Sequence, residues 1–128
     1  MTDPDANGMR VAAIRGAVQA ENSSEAVLSA TEQLMHEIIE ANELDPGLMI
    51  SAIFTTTEDL DAEFPAAAAR RMGLNDVPLM CAREIPVPGA MPGVIRVMLH
   101  TYVPVDRKVR HVYLGDTRNL RADLDAAQ

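Results

Sequence analysis

The stretch Val77–Leu99 holds side chains of types that do chemistry, among them the thiol of Cys81, the carboxylate of Glu84 and the guanidinium of Arg96. Arg96 carries the most information. It lies inside the apolar run Val94-Ile95-Arg96-Val97-Met98-Leu99, where a charge demands an anionic partner or a ligand. In a regular strand it shares a face with Val94 and Met98, while Ile95, Val97 and Leu99 fill the other. Spacing alone leaves two uses open, a structural ion pair with Glu84 or an arginine that grips a ligand. Cys81 and Glu84 are three apart, so a regular strand sets them on opposite faces. Both line one pocket only if the strand ends or bulges between them, and Pro86 and Pro88 favour an ending.

Arg15 is the next candidate. The short apolar run Met9–Ile14 reads as a strand ending at Arg15-Gly16, with Gly16 allowing a turn. A strand-end arginine can face a cleft or simply meet water. Arg70 and Arg71 fall in the last turn of a short helix opened by Phe64-Pro65 and continued by Ala66–Ala69, where their ordinary role is to offset the helix dipole. His36, His100 and His111 are scattered with no ligand spacing around Cys81, so no metal site is expected.

The elements that must hold these groups are read from periodicity. Val27, Leu28, Thr31, Leu34, Met35, Ile38 and Ile39 form one face of a helix from about Ser23 to Asn42, with Asn22 and Glu25 as a capping box and Asp45-Pro46-Gly47 closing the exit. His36 belongs to its wet side. Leu48–Phe54 reads as a buried strand followed by a polar turn, Thr55–Asp59, whose threonines serve the turn or, less ordinarily, an ion. Val94–Thr101 is the third long strand, Val103–Asp106 a turn, and Arg110–Leu114 a last strand with His111 and Tyr113 on one face. The order β-α-β-α-β-β-β, without GxGxxG or P-loop glycines, predicts an α+β fold: a mixed β-sheet covered on one side by one long and one short helix. No Ser-His-Asp grouping or carboxylate pair for glycoside chemistry is present. An arginine set with one glutamate suits a small carboxylate-bearing molecule.

Bulk properties bound the rest. At 128 residues the chain has room for one core, built from aliphatic residues because it holds only two Tyr and two Phe. Residues 1–8 and 122–128 read as flexible tails around a single domain, 9–121. A net charge of −8 argues against nucleic acid or anionic membrane as partner. One cysteine fits a reducing, cytoplasmic setting, and no signal peptide or membrane span is expected.

The strings I-R-G-A at Ile14, F-P-A-x-A-x-R at Phe64, V-P-x-x-C-x-x-E at Val77, V-I-R-V-M at Val94 and R-H-V-Y-L at Arg110 resemble, in this order, the AroH-class chorismate mutases. The resemblance runs from about Met9 to Leu124. It implies the bacillus-type fold, a pseudo-α/β-barrel homotrimer with sites at subunit interfaces, and the cofactor-free Claisen rearrangement of chorismate to prephenate. It also implies roles. Arg96 would face the ether oxygen as negative charge grows there, Glu84 would take the ring hydroxyl and orient Arg96, and Arg15 would bind a carboxylate and reach the ether. Tyr113 would donate to a carboxylate and Cys81 would contact the ring hydroxyl. Phe64, Ala66, Arg70, Leu79 and Met80 would wall the pocket from the neighbouring subunit, and Leu120 and Arg121 would close over the ligand. Ala67 and Met80 depart from the family's frequent lysine and threonine, the turn Val103–Lys108 is a residue shorter, and eight residues precede the first strand. Two other readings fit an arginine-lined trimer: an imine-deaminase-like protein, and a non-catalytic binder of an aromatic-pathway metabolite.

Overall fold

A computed structural model describes residues 8–120, and the expected tails, apart from Gly8, and Arg121 lie outside them. Alternation in the Val94 run is the fold's clearest signature. The strand containing Arg96, β4 (Val94–Pro104), buries Ile95, Val97, Leu99, Thr101 and Val103 on one face and leaves Arg96, Met98, His100 and Tyr102 half-exposed on the other. It is the centre of a five-stranded sheet ordered β3-β2-β4-β1-β5. The others are β1 (Met9–Gln19), β2 (Met49–Thr56), β3 (Leu79–Arg83) and β5 (Val112–Tyr113). β4 runs antiparallel to β1 and β2, whereas β3 and β5 lie parallel to the strands they flank. The sheet is therefore mixed, as expected.

Both helices sit on one face. α1 (Ser24–Ala41) buries Val27, Thr31, Leu34, Met35 and Ile38 against Ile14, Phe54 and Leu99, and α2 (Pro65–Arg71) adds Ala66 and Ala69 to the same core. Each fully buried aliphatic side chain contributes roughly 1.5–3 kcal/mol, enough to fix which face of every strand is dry. The helix cap differs from the expected one. Ser23, not Asn22, caps α1, its Oγ accepting the Ala26 N–H at 3.2 Å. Asn22 instead braces the segment after β2, accepting from the N–H groups of Asp61 and Ala62 at 3.0 Å each. Arg71 also does more than face a dipole. It bonds Glu32 and Glu25 across to α1, and this guanidinium holds both carboxyls below their ordinary range.

Three strand boundaries correct the sequence reading. β1 does not turn at Gly16 but continues to Gln19, so Arg15 lies mid-strand rather than at a strand end. Gly16 serves close packing: a Cβ there would meet Ile38 Cδ1 at 2.8 Å, Leu34 Cδ1 at 3.0 Å and the Val112 carbonyl at 3.1 Å. Thr55 and Thr56 belong to β2, not to a turn, and only Thr57 begins one, its hydroxyl accepting the Val94 N–H at 3.0 Å. Val103 is fully buried in β4, and the turn starts after Pro104. The last strand is short, two residues, but firmly seated. Buried Asn42 at the end of α1 accepts from the Arg110 N–H at 2.7 Å and donates to the Arg110 carbonyl at 2.9 Å. Among the described residues no helix is long and apolar enough to cross a membrane.

Candidate active site

The sheet face without helices carries Arg15, Arg96 and Tyr113. Arg96 stands opposite Ala17 of β1 and Thr55 of β2, Arg15 stands opposite Met98, and Tyr113 of β5 pairs with Ala17. Strict alternation therefore sends Arg15, Thr55, Arg96 and Tyr113 to one face. They line a single cleft of about 340 Å³ with Gly16, Ile53, Val97 and Met98, within the usual size of a small-molecule site.

Arg96 makes the ion pair that its spacing left open. Its Nε donates to Glu84 Oε2 at 3.0 Å. Its terminal nitrogens bond no protein group among the described residues. Thr55 Oγ1 donates to the same Glu84 oxygen at 2.9 Å. Glu84 reaches this position because β3 ends at Arg83, and the Glu84 N–H then donates to the Thr56 carbonyl at 2.9 Å, folding the chain over β2. The Glu84 side chain is 18% exposed and that of Arg96 36%, so the pair is half-dry and its electric field is less damped than on an open surface. Arg15 is fixed through its backbone, its N–H donating to His111 Nδ1 at 3.0 Å. That bond requires Nδ1 to be the unprotonated ring nitrogen. Tyr113 is buried against Ala17 and Val94, and Leu120 packs on this cluster beside the cleft.

Other residues expected at the site do not join it within one protomer. Cys81 pairs in register with Phe54, on the helix-covered side, so it and Glu84 face different clefts. Cys81 lines a second groove of about 420 Å³ with Phe64, Leu60 and Arg83. Phe64 is 69% exposed at the start of α2. Ala66 is a core residue, 4% exposed, Leu79 packs partly on the core, and Arg70 is exposed at the far end of α2. Met80 is 63% exposed on the open face beside Ile53. Beyond the cleft, Arg83 donates to the carbonyls of Thr57 at 2.9 Å and Leu60 at 3.1 Å, and the Thr57 hydroxyl holds the Asp59 carboxyl below its ordinary range.

Thr55 was read only within a turn or ion site, and His111 and Asn42 had no mark as cleft residues. Only the position of Thr55, directly after the apolar run ending at Phe54, could have shown that the strand carries a hydroxyl onto the Arg96 face. Two guanidinium groups and a phenol over apolar walls suit a small molecule with two carboxylates. They also set fixed positive charge beside a half-buried ion pair, where an anionic oxygen would be stabilised.

A sequence model of the family "Chorismate mutase type I" matches residues 11–124. Chorismate mutase AroH of Thermus thermophilus is 49% identical over 122 residues, covering 92% of this chain and 99% of that protein. Chorismate mutase AroH of Bacillus subtilis is 41% identical over 120 residues, covering 91% and 94%. The solved structure of a chorismate mutase from Clostridium thermocellum superposes with a TM-score of 0.80 at 43% identity, covering 84% of this chain and 98% of that one.

Proposed function

The chain belongs to the chorismate mutase type I family, and from that membership we propose that its open-face cleft rearranges chorismate to prephenate, in the formation of aromatic amino acids, with Arg96 as the principal catalytic cation. The reaction is intramolecular. The ether C–O bond breaks as a C–C bond forms, electrons move around a six-membered ring, and no proton or cofactor takes part. Negative charge grows on the ether oxygen on the way to the transition state. A cation already fixed there stabilises that state more than bound substrate.

The observation that carries the reading is the Arg96–Glu84 bond through Nε alone. It orients the guanidinium plane and leaves both terminal nitrogens available to the cleft. Glu84 accepts the ring hydroxyl in this scheme, Arg15 holds one carboxylate and reaches the ether, and Tyr113 donates to a carboxylate. Holding the enolpyruvyl arm over the ring in a compact pose supplies much of the remaining acceleration.

The same reading makes the working unit a homotrimer. Its support is the open sheet face itself, on which Val11 is 46%, Ile53 39% and Met80 63% exposed, more apolar surface than a solvated sheet face ordinarily shows. In a trimer a neighbour's groove, with Phe64 and Cys81, completes the cleft, and Arg70, Leu79 and Met80 of that neighbour wall it. Ala66 contributes there through packing, and Leu120 with Arg121 closes the mouth. A cytoplasmic location belongs to the same reading, supported by the free thiol of Cys81.

The test is direct. Purified protein is mixed with chorismate and the loss of substrate ultraviolet absorbance is followed, with prephenate identified as product. Turnover is expected. Binding without turnover would leave a metabolite binder, and a stable active monomer by light scattering would overturn the shared site.

A further inference from the structure

Glu84 Oε2 receives two hydrogen bonds of nearly equal length, from Arg96 Nε at 3.0 Å and from Thr55 Oγ1 at 2.9 Å. The two donors arrive from adjacent strands, because Thr55 and Arg96 are register partners across β2 and β4. From this convergence we infer that Thr55 is a positioning residue for the rearrangement: its hydroxyl fixes the rotation of the Glu84 carboxylate, and through it the plane of the Arg96 guanidinium. The inference rests on the reading of Arg96 as the catalytic cation.

A carboxylate held by one donor swings about its terminal torsion, which is broad and soft. Two donors on one oxygen remove that freedom. They also divide the labour of the carboxylate: Oε2 is occupied by protein, so Oε1 is the oxygen left to accept from a ligand hydroxyl. Thr55 stands in a strand packed on the fully buried Phe54 and so cannot drift. Its hydroxyl gives its proton to Glu84 while the residue itself lines the cleft. Threonine meets both demands within a β-branched residue that a strand favours.

The role predicts a particular kinetic signature. Loss of the hydroxyl loosens a group that matters when charge develops on the ether oxygen, so kcat and kcat/KM fall together while KM changes little. A hydrogen bond to a charged group corresponds to about tenfold to a hundredfold in rate if it is realised in the transition state.

Two pairs of variants isolate the hydroxyl. Parent and Thr55→Val differ by one hydroxyl at nearly constant shape, and Thr55→Ser and Thr55→Ala differ the same way should valine crowd the site. Chorismate turnover, melting temperature and oligomeric mass are measured for all, with Arg96→Ala alongside. The expected result is a loss of at least tenfold in kcat in each hydroxyl-free member, KM within about twofold, and recovery in Thr55→Ser to within about threefold of parent. Equal kcat within either pair, a loss confined to KM, or a loss that serine does not restore overturns the inference. If Arg96→Ala still loses turnover in those cases, the reading of Arg96 stands without Thr55. If Arg96→Ala is as active as parent, the underlying reading itself has failed.

Discussion

Replacing Arg96 by alanine separates catalysis from stability because the structure sets a different size on each. Removing one preorganised donor from a developing oxyanion typically costs about 10²–10³ in turnover, or ~2.7–4 kcal/mol of barrier. The stability cost is smaller. The variant loses one charge-assisted hydrogen bond, ordinarily about 1.5–3 kcal/mol, and the 36% exposure of the Arg96 side chain discounts it through solvent screening. Glu84 keeps Thr55 as a partner and is 18% exposed, so it is not stranded as an unpaired charge in a dry interior. A stability loss of about 1–2 kcal/mol is expected. Chorismate turnover and thermal melting on the same preparation read the two quantities. A folded Arg96→Ala protein with turnover within about tenfold of parent would refute the electrostatic assignment. So would a loss of activity that merely tracks unfolding.

Other expectations rest on separate features. Because no proton moves in the rearrangement, turnover across the neutral range should be nearly flat, and a bell-shaped profile with two essential groups would point to acid–base chemistry instead. Asn42→Leu strands the Arg110 backbone groups that anchor β5, and should cost about 2–3 kcal/mol in denaturant unfolding; an unchanged midpoint would show the anchor to be dispensable. Gly16→Ala places a Cβ 2.8 Å from Ile38 Cδ1 and 3.1 Å from the Val112 carbonyl, and should cost about 1–3 kcal/mol, read as a lower melting temperature. Glu25 and Glu32 are held below their ordinary pKa by Arg71. The pairing therefore stabilises above the unfolded carboxyl pKa and is lost as pH falls through the lowered folded values. Arg71→Ala should melt below parent at neutral pH and converge with it in acid, and high salt should narrow the gap; a difference that persists at acid pH would contradict the pairing.

Much of the frame was legible because it follows from period alone. Alternation in Val94–Leu99 set Arg96 against Ile95, Val97 and Leu99, and spacing in Val27–Ile38 fixed the buried face of α1. What escaped depends on residues far apart in the chain. Gly16 looks like a turn until Ile38, Leu34 and Val112 are known to press on it. Thr55 and Thr56 read as a polar turn because three threonines precede two acids, yet β4 supplies a ladder that carries both into the sheet. Asn42 resembles any helix end until Arg110 arrives beside it. Cys81 shares a motif with Glu84, but register with Phe54 turns the thiol to the other side. The candidate residues were legible as types, whereas their placement in two separate clefts needed the strand pairing.

Among the described residues no carboxylate pairs with Arg15, and Arg96 offers its terminal nitrogens to open space. Two such guanidinium groups attract anions, and a bound dianion should raise the melting temperature. Rearrangement within a molecule conserves its charge, so the product leaves with the same two negative groups that brought the reactant in. Attraction by charge number alone cannot tell them apart. Only the geometry of the arm separates one from the other, and accumulated product should compete for the same seat.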